Sequence, residues 1–578
     1  MMSSLESLKK LKNLKDVATF LGCKPKALSY LLFFDENKYR TFEIKKKSGG
    51  SRKILAPNDK LKAIQKILSN VLYDCYAEIY PTKKYSVISH GYVRKEKNQI
   101  NKENNHTKDQ NLSYGTITNS IPHKNKHNVL NIDLADYFSS FNLGRVRGFF
   151  IKNESFKLST ECATVLAQIA CYENELPQGS PCSPIIANLI SRSLDVKLAG
   201  LAKENSATYT RYVDDITIST NKKVFPTKIA GVIDNKVTLG KSLQRIVIKS
   251  GFTINPPKSR LQFSDSRQEV TGLIVNKFVN VPSNYRHTLR PMVHSLFKNN
   301  TYTYMNDEGD NVKGSIDRLN GMLSYIHYIR SNTINKGKYV RDDKGGIRLD
   351  GSDQLYADFL FYKYFANNTR PVLICEGKTD VIYLKSTLKA LADNYPSLIE
   401  KDGSKTHLKI QILPASKTIQ NLLGLLSGAD DLKKFMETYE ARFSKYAKPS
   451  ALHPVIVLVD NDEGPRNINS KIKNKYKVIP SPGTPVKVWG NLLYVQTPEI
   501  VGMKNTAIED FFSSEIRKIK VEGRTFSPQT ETETIAHYGK RVFAEDVISK
   551  KRKILNFDSF KPILDLLVSS IDLHNLKK

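Results

Sequence analysis

The chain has 578 residues, 40% hydrophobic and 25% charged, a composition that excludes a disordered chain and a length that exceeds one hydrophobic core. Lys and Arg outnumber Asp and Glu by 89 to 57, a formal charge of +32, which favours a polyanionic partner such as nucleic acid. The six cysteines form no C-x-x-C pair and no apolar run approaches the roughly 18 residues of a membrane span, so we expect a cytoplasmic protein with reduced thiols and no membrane partner.

The N-terminal region alternates between helical and strand-like patterns. Apolar residues at helical spacing predict short amphipathic helices in the first 35 residues. The stretch YRTFEIKKKSGGSRKILAPN predicts a basic hairpin that turns at Gly49 and Gly50, and DKLKAIQKILSNVLYDCY predicts a helix. Residues 95–126 are polar and rich in Asn and Lys, which predicts a flexible insertion or a long loop.

Two strand-like segments then carry aspartates, a residue that strands disfavour. Asp133 lies in HNVLNIDLADYF, and Asp214 and Asp215 lie together in TYTRYVDDITIST. Adjacent strand residues point to opposite faces, so both of these aspartates reach one site only if a hairpin turns at the pair. Crowded carboxylates repel one another unless a cation lies between them, and Mg²⁺ prefers such oxygen ligands. For Asp214 and Asp215 alone, an Asx turn on a solvated hairpin is the alternative interpretation.

A second domain follows a polar, glycine-containing segment. We predict a first domain at 1–330, a linker at 331–368 and a second domain at 369–578. The apolar stretches RPVLICEG and HPVIVLVDND alternate with helical patterns, which predicts a parallel sheet covered on both faces. Glutamate ends the first stretch and an Asp-x-Asp pair ends the second, at the sheet edge where ligands of α/β proteins bind.

Three motifs of the first domain resemble those of reverse transcriptases in their order and spacing. YVDD resembles the catalytic box, NIDLADYF the first metal-binding motif, and LPQGSPCSPIIANLI the segment between them. The resemblance implies a right-hand polymerase with fingers, palm and thumb. It also implies that Asp133, Asp214 and Asp215 are catalytic and hold two Mg²⁺ ions.

The same resemblance implies contacts with deoxynucleoside triphosphates. Phe138 would be the steric gate that excludes a ribose 2′-OH. Gln178 would contact the incoming nucleotide, and Gly179 would let the backbone approach the template and substrate. The basic residues that would meet the triphosphate or the leaving pyrophosphate are Arg52, Lys53 and Lys258.

Further motifs resemble the retron branch, bacterial enzymes that copy part of a structured non-coding RNA into a branched RNA–DNA product (msDNA). NSIPHKNKHNVLNIDL resembles an Asn-Ala-x-x-His box, with Ser120 in place of alanine, and Val213 stands where alanine is usual in YVDD. By this resemblance the residues that recognise the RNA are Asn119, His123, Val270, Thr271 and Gly272. The implied partners are the cognate RNA, its msDNA and deoxynucleoside triphosphates.

The acidic set of the second domain resembles that of Toprim domains, in which a glutamate and an Asp-x-Asp pair hold one or two Mg²⁺ ions. The resemblance implies a Rossmann-like domain with Glu376 as metal ligand or general base and with Asp460 and Asp462 as metal ligands. Additional acids that the resemblance suggests are Asp380, Glu509 and Asp510. With no cysteine cluster for a primase and little chain for a topoisomerase clamp, a nuclease is the favoured type.

The two halves together predict a multidomain α+β and α/β protein, either a monomer or a homo-oligomer. The leading hypothesis is a retron RNA-directed DNA polymerase fused to a Mg²⁺-dependent Toprim nuclease that acts in anti-phage defence. Two alternatives stay open: a mobile-element reverse transcriptase with a Toprim endonuclease, and a catalytically silent nucleic-acid-binding scaffold. The acidic residues of both centres favour an active enzyme over a scaffold.

Overall fold

The structure, a computed structural model, describes residues 3–45, 49–81, 88–94, 112–234, 236–334, 347–403, 405–413, 416–425, 428–529 and 534–576. The chain divides into two compact units. Unit 1 comprises Met1–Arg286 and Tyr328–Gly337, and unit 2 comprises His287–His327 and Lys338–Lys578. The division between units therefore does not coincide with the domain end predicted at residue 330, because residues 287–327 pack with the C-terminal part of the chain.

Unit 1 begins with the short helices and the basic hairpin that the sequence predicts. The elements are α1 (Ser4–Lys9), α2 (Leu14–Phe20), α3 (Pro25–Phe33), β1 (Tyr39–Lys45), β2 (Ser51–Pro57) and α4 (Asp59–Ile79). Ser3 and Asn13 cap the first two helices by accepting hydrogen bonds from backbone N–H groups, and Pro25 occupies the first turn of the third. The leucines of these helices are buried in the core of unit 1.

A four-stranded antiparallel sheet forms the centre of unit 1. The elements up to this sheet's last strand are α5 (Thr116–Ser120), β3 (Asn128–Ala135), α6 (Leu143–Lys152), α7 (Thr160–Ala170), α8 (Ser183–Glu204), β4 (Ala207–Tyr212), β5 (Asp215–Thr220), β6 (Ala230–Ile233), β7 (Lys236–Leu239), α9 (Lys241–Lys249) and β8 (Thr253–Phe263). The strand order is β4-β5-β3-β8. Alternate residues of β3 and β5, such as Ile132 and Ile216, share one core with the apolar faces of α7 and α8.

The loop predicted at 95–126 is only partly a loop. Residues 95–111 lie outside the described residues, but α5 and a 3-10 turn at Ile121–His123 occupy the middle of the remaining stretch, residues 116–123. Ile117 is buried, and α5 packs against β4 and against the short strands β9 (Glu269–Val270) and β10 (Leu273–Ile274). The prediction was wrong for 116–123, because its Asn and Lys content concealed a buried turn of helix.

The linker predicted at 331–368 is also partly wrong. After α10 (Ser283–Asn299), β11 (Thr303–Met305), β12 (Asn311–Lys313) and α11 (Ile316–Thr333), the chain forms α12 (Gly351–Phe361) and a π-helical turn at Tyr362–Ala366. Phe359, Phe361 and Phe365 are fully buried there. This aromatic segment therefore belongs to the core of unit 2, while residues 335–346 lie outside the described residues.

Unit 2 contains the parallel sheet that its apolar stretches predict. The remaining elements are β13 (Val372–Cys375), α13 (Lys378–Ala390), β14 (Ile399–Asp402), β15 (Lys405–Leu408), β16 (Gln411–Ile412), α14 (Lys417–Leu423), α15 (Gly428–Phe443), β17 (Val455–Val459), α16 (Arg466–Tyr476), β18 (Val486–Trp489), β19 (Leu492–Gln496), α17 (Ser514–Arg517), β20 (Thr525–Phe526), β21 (His537–Tyr538), α18 (Lys540–Val542) and α19 (Lys561–Asn575). The sheet order is β16-β13-β17-β19-β18, and only the edge strand β18 is antiparallel to its neighbour.

The C-terminal residues, which carry no recognisable motif, complete the core of unit 2. Phe543, Phe560 and Leu564 are fully buried and lie in one cluster with Leu373 of β13 and Leu384 of α13. They are therefore part of the domain that holds the sheet. None of the helices in the described ranges combines the length and apolar character that a membrane crossing requires.

Candidate functional site

The hairpin between β4 and β5 brings the three aspartates of unit 1 to one place. Asp215 pairs with Tyr212 across the hairpin and with Asp133 on β3. Val213 and Asp214 form the turn, and Val213 has φ of +62°, a left-handed conformation that costs a β-branched residue free energy. The predicted turn at the Asp pair is therefore present, and it places these carboxylates beside Asp133.

The crowding of these carboxylates changes their protonation. Burial raises the pKa of Asp214, and the neighbouring Asp133 raises it further. Burial together with repulsion from Asp214 and Asp133 raises the pKa of Asp215 to about 7. Because the side chain of Asp215 is exposed, we attribute the rise in its pKa more to repulsion between the carboxylates than to burial. The group thus attracts a proton or another cation.

One cation, Lys258 on β8, already lies at Asp133. Its Nζ is 3.0 Å from Oδ1 and 3.2 Å from Oδ2 of Asp133, and Asn255 donates a further hydrogen bond of 3.2 Å to Oδ2. The structure thus pairs Lys258 with a carboxylate of the group, and its predicted contact with pyrophosphate stays a prediction.

The donor set of the three aspartates suits Mg²⁺, which prefers carboxylate oxygens. In the described part of the chain, no three His, Cys, Asp or Glu side chains already converge closely enough to hold a metal ion. Asp133, Asp214 and Asp215 are the residues that would hold the metal. The raised pKa values of Asp214 and Asp215 are the observation that supports this fit.

The buried guanidinium of Arg211 supports the hairpin between β4 and β5. Arg211 and Asp195 are both fully buried and form a bidentate ion pair with distances of 2.7 and 2.9 Å. The same guanidinium donates to the backbone carbonyl of Val213 (2.8 Å), to Tyr137 Oη (3.0 Å) and to Asn188 Oδ1 (3.2 Å). Arg211 therefore fixes the strained residue that precedes the two aspartates. Sequence reasoning missed it, although an arginine on the inward face of a strand was a usable signal.

The segment at Gly91 packs closely against Val213 in the turn of this hairpin. A Cβ atom on Gly91 would lie 2.7 Å from Cγ2 and 2.9 Å from the backbone nitrogen of Val213, so only glycine fits there. Asn188 donates a hydrogen bond of 2.7 Å to the carbonyl of Gly91. The same asparagine thus joins this segment to Arg211, and the hairpin is held from two sides.

The structure gives Gly179 a different role from the one predicted. Gly179 has φ of +128°, and a Cβ atom there would lie 2.6 Å from the carbonyl oxygen of Leu55 in β2. The backbone N–H of Leu55 donates to the carbonyl of Gln178 (2.9 Å). Glycine is therefore required here for the close approach to the β1–β2 hairpin, while the template contact of Gly179 and the nucleotide contact of Gln178 stay predictions.

The predicted triphosphate contacts fall into two groups. Arg52 on β2 is exposed, and its positive charge is close enough to lower the pKa of Asp214. Lys53 instead pairs with Glu173 at 3.1 Å. Phe138 is half-buried in the turn after β3, five residues beyond Asp133, so its role as a steric gate stays a prediction.

The residues predicted to recognise RNA are mostly buried in this structure. Asn119, His123 and Val270 have no exposed surface. His123 bonds Ser219 (2.7 Å) and Thr210 (2.8 Å), and burial lowers its pKa to about 3. His123 thus joins an element before β3 to strands β4 and β5, and the RNA-recognition role of Asn119, His123 and Val270 stays a prediction.

The two retron-like motifs instead contact each other. Ser120 donates a hydrogen bond of 3.0 Å to the carbonyl of Val270 and lies 3.2 Å from the hydroxyl of Thr271. Thr271 and Gly272 form the turn between β9 and β10, with φ of +45° and +80°. Gly272 is exposed and Thr271 is partly so, and for these two the RNA contact stays a prediction.

A second carboxylate group lies at one edge of the sheet in unit 2. Glu376 follows β13 and Asp460 follows β17, and these strands are adjacent and parallel, with Cys375 opposite Leu458. Burial raises the pKa of Asp460 to about 8, and repulsion from Asp380, Glu509 and Glu376 adds to this effect. Burial also raises the pKa of Glu376. The parallel strands thus bring the predicted acids together.

One buried oxygen of this group has no partner. Glu376 Oε2 is buried and has no hydrogen bond to any described residue, which is costly unless a ligand or ion contacts it. Asp462 is exposed, and its Oδ1 accepts a hydrogen bond of 2.8 Å from the backbone of Gly464. The residues fit a divalent cation held by Glu376 and Asp460, with Asp462 at the solvent side.

The additional acids differ in their surroundings. Asp380 is buried and caps α13 by accepting a 2.7 Å hydrogen bond from Gly377, and its charge raises the pKa of Asp460. Asp510 instead pairs with Arg517 at 2.9 Å and accepts from the backbone of Ala507. Asp510 is therefore engaged by Arg517, and its role as a further Toprim acid stays a prediction.

Glu509 faces the group together with a lysine that sequence reasoning missed. Lys540 Nζ lies 3.0 Å from Oε1 of Glu509, and against the lowering effect of burial the attraction of Glu509 raises the pKa of Lys540. Nothing in the sequence around Lys540 marks it, because it reaches the sheet only through the fold of the C-terminal segment.

Comparison with known proteins identifies part of the chain. Residues 44–275 match the family described as reverse transcriptase (RNA-dependent DNA polymerase). The chain is 30% identical over 346 residues to the retron Mx162 reverse transcriptase of Myxococcus xanthus, covering 55% of this chain and 64% of that protein, less than two thirds of its length. It is 28% identical over 327 residues to the retron Ec86 reverse transcriptase of Escherichia coli, covering 56% of this chain and 86% of that protein.

Among solved structures, apo telomerase from Candida Tropicalis has a TM-score of 0.27 at 11% identity and covers 52% of this chain and 58% of that chain, a likeness too low to bear on function. The match to the reverse transcriptase family covers Asp133 and the YVDD hairpin. Over somewhat more than half of its length, the chain is therefore similar to retron reverse transcriptases.

Proposed function

We propose that unit 1 is the RNA-directed DNA polymerase of a retron, which copies a cognate structured RNA into msDNA in the cytoplasm. The observation that carries this proposal is the meeting of Asp133, Asp214 and Asp215 at the β4–β5 turn, inside a domain similar to retron reverse transcriptases. Bound Mg²⁺ would supply Lewis-acid activation of the attacking hydroxyl and stabilisation of the leaving group.

The side chains around this turn have separate proposed roles in the reaction. Arg52, whose charge reaches Asp214, would bind the triphosphate as it enters. Phe138 would exclude nucleotides that carry a 2′-OH. Lys258, which pairs with Asp133 in this structure, would meet the leaving pyrophosphate. Arg211 keeps the turn in one geometry throughout, since its partners are all buried.

Unit 2 is proposed to be a Mg²⁺-dependent Toprim nuclease effector that acts on nucleic acid during phage infection. The observation that carries this proposal is the unpartnered Glu376 Oε2 beside Asp460 at the edge of a parallel sheet. Glu376 and Asp460 would hold the metal. Lys540 adds a positive charge at the same place, where a scissile phosphate would be negative.

Primer extension tests the polymerase. Wild-type protein is expected to extend a DNA primer on an RNA template with deoxynucleotides and Mg²⁺, and the variant Asp214→Asn/Asp215→Asn is expected to lose at least about 10³-fold in rate. A thermal melt verifies that the variant is folded. Equal extension by the variant and the wild type would exclude these aspartates as the catalytic group.

Neighbouring acids provide a matched test of the nuclease. Labelled plasmid, single-stranded DNA and single-stranded RNA are each incubated with Mg²⁺ and the wild type, Glu376→Gln, Glu509→Gln or Asp510→Asn. Cleavage is expected to be lost in the first two variants and kept in Asp510→Asn, because Asp510 pairs with Arg517 outside the group. Loss in Asp510→Asn alone, or cleavage unaffected by Glu376→Gln, would contradict the assignment.

A further inference from the structure

Unit 2 contains a cavity of about 290 Å³ that neither carboxylate group uses. It lies between α12, α14 and α15, and its apolar wall includes Leu422, Leu423 and Phe435. This volume is at the lower end of the range for small-molecule sites, about 300–1,000 Å³. It is large enough for a mononucleotide-sized molecule and not for a folded macromolecule.

Two cations on α15 line the cavity without a carboxylate partner. Lys434, Thr438 and Arg442 follow one another at intervals of four residues, so they share one face of the helix. Within the described ranges, no carboxylate oxygen lies at ion-pair distance from Lys434 or Arg442, although the charge of Asp358 is near enough to Arg442 to oppose the lowering of its pKa by burial. The guanidinium of Arg442 lies 4.5 Å over the ring of Phe361 and donates one long hydrogen bond, 3.3 Å, to the carbonyl of Leu423.

Ordinary structural roles account for the charges of the cavity other than that of Lys434. Lys445 pairs with Asp358 at 2.9 Å, and Asp431, which is buried in the wall, has interactions of its own. A cation in the last turn of a helix is stabilised by the helix dipole, which is sufficient for Arg442. Lys434 lies in the middle of α15, where the dipole contributes little.

An amide also lines the cavity. Asn421 on α14 is only 8% exposed, and its side chain forms no hydrogen bond with the described residues. Its polar atoms are open to the cavity, where water can hydrogen-bond to them. A polar group of a ligand would take the place of this water.

We propose that this cavity binds a nucleoside phosphate. The phosphate group would lie between Lys434 and Arg442, and the organic part would pack against Leu422 and Phe435 with the amide of Asn421 hydrogen-bonded to it. Such a ligand would contact both cations and the amide at once, which a purely apolar ligand would not. The proposal is independent of the polymerase and nuclease activities, since none of these residues belongs to either carboxylate group.

Titration calorimetry on the full chain tests the proposal. The four nucleoside 5′-monophosphates, adenosine and inorganic phosphate are titrated in EDTA, which prevents metal-dependent binding at the two carboxylate groups. At least one monophosphate is expected to bind, with adenosine and inorganic phosphate weaker. Lys434→Gln and Arg442→Gln are each expected to weaken binding by about tenfold or more, the effect of losing one charged hydrogen bond.

Lys433→Gln is the matched control, since Lys433 belongs to the same helix but lies beside Ile468 and Ile472 of α16. It is expected to change affinity by less than about twofold, as surface charges usually contribute little. If Arg442→Gln unfolds because its ring contact is lost, the half-buried Lys434 still decides the question. The proposal is overturned if no monophosphate binds below millimolar concentration, if Lys434→Gln binds as the wild type does, or if inorganic phosphate binds equally well.

Discussion

Replacing Arg211 with lysine tests whether a buried guanidinium holds the catalytic hairpin. The guanidinium donates five hydrogen bonds, whose acceptors are Asp195 (twice), Tyr137, Val213 and Asn188. An ammonium group has three donors, so at least two of these bonds are lost. Each is worth about 1.5–3 kcal/mol because a charged group takes part, and the free energy of unfolding should therefore fall by about 3 kcal/mol or more.

The loss of the Val213 contact should also affect catalysis, since a displacement of about 1 Å in a catalytic group can cost about 10²-fold in rate. Urea unfolding followed by circular dichroism measures the first effect, and primer extension by the folded fraction measures the second. Arg147→Lys is the control, because Arg147 has a single side-chain hydrogen bond, to Thr164. If Arg211→Lys unfolds within about 0.5 kcal/mol of the wild type and extends primers equally fast, the network does not hold the hairpin.

Three further predictions concern single positions. Gly91→Ala should displace Val213 and abolish primer extension, whereas Gly148→Ala, in α6 with open space around it, should not reduce the rate. The pKa of Asp460 is about 8 in the folded protein and near 4 in the unfolded chain, so between these pH values the folded state binds one more proton than the unfolded state. The free energy of unfolding of the metal-free protein should therefore fall as the pH rises from 5 to 9. Urea titrations at several pH values measure this fall, and Asp460→Asn should reduce it. Phe138→Ala should admit ribonucleotides, seen as a larger ratio of ribonucleotide to deoxynucleotide incorporation, and an unchanged ratio would exclude the gate.

The acidic residues of both groups were predictable because chemistry requires them at fixed positions. Asp133, Asp214 and Asp215 belong to motifs whose spacing sets their place in a sheet, and Glu376 and Asp460 end strands whose apolar character predicts parallel pairing. In each case the local sequence pattern predicts a strand, and the pairing of that strand determines which acidic residues lie side by side. No long-range information was needed beyond the order of the strands.

The sequence was less informative where distant contacts decide the environment of a residue. Asn119 and His123 are polar and lie near a motif, but packing of α5 against the sheet buries both. The partner of Arg211 is 16 residues away on another element, and Lys540 reaches Glu509 only because the C-terminal helices complete the core. Such pairings depend on the tertiary structure, which a single sequence does not reveal.

The proposed retron activity requires that this chain make DNA from its own RNA. The most direct measurement isolates the nucleic acid that co-purifies with the protein from cells carrying its native upstream region, comparing wild type with Asp214→Asn/Asp215→Asn. Treatment with RNase and with DNase, followed by sequencing, identifies each strand. The account predicts a short single-stranded DNA joined to RNA in the wild type and RNA alone in the variant. The same nucleic acid on both proteins, or no DNA on either, would contradict it.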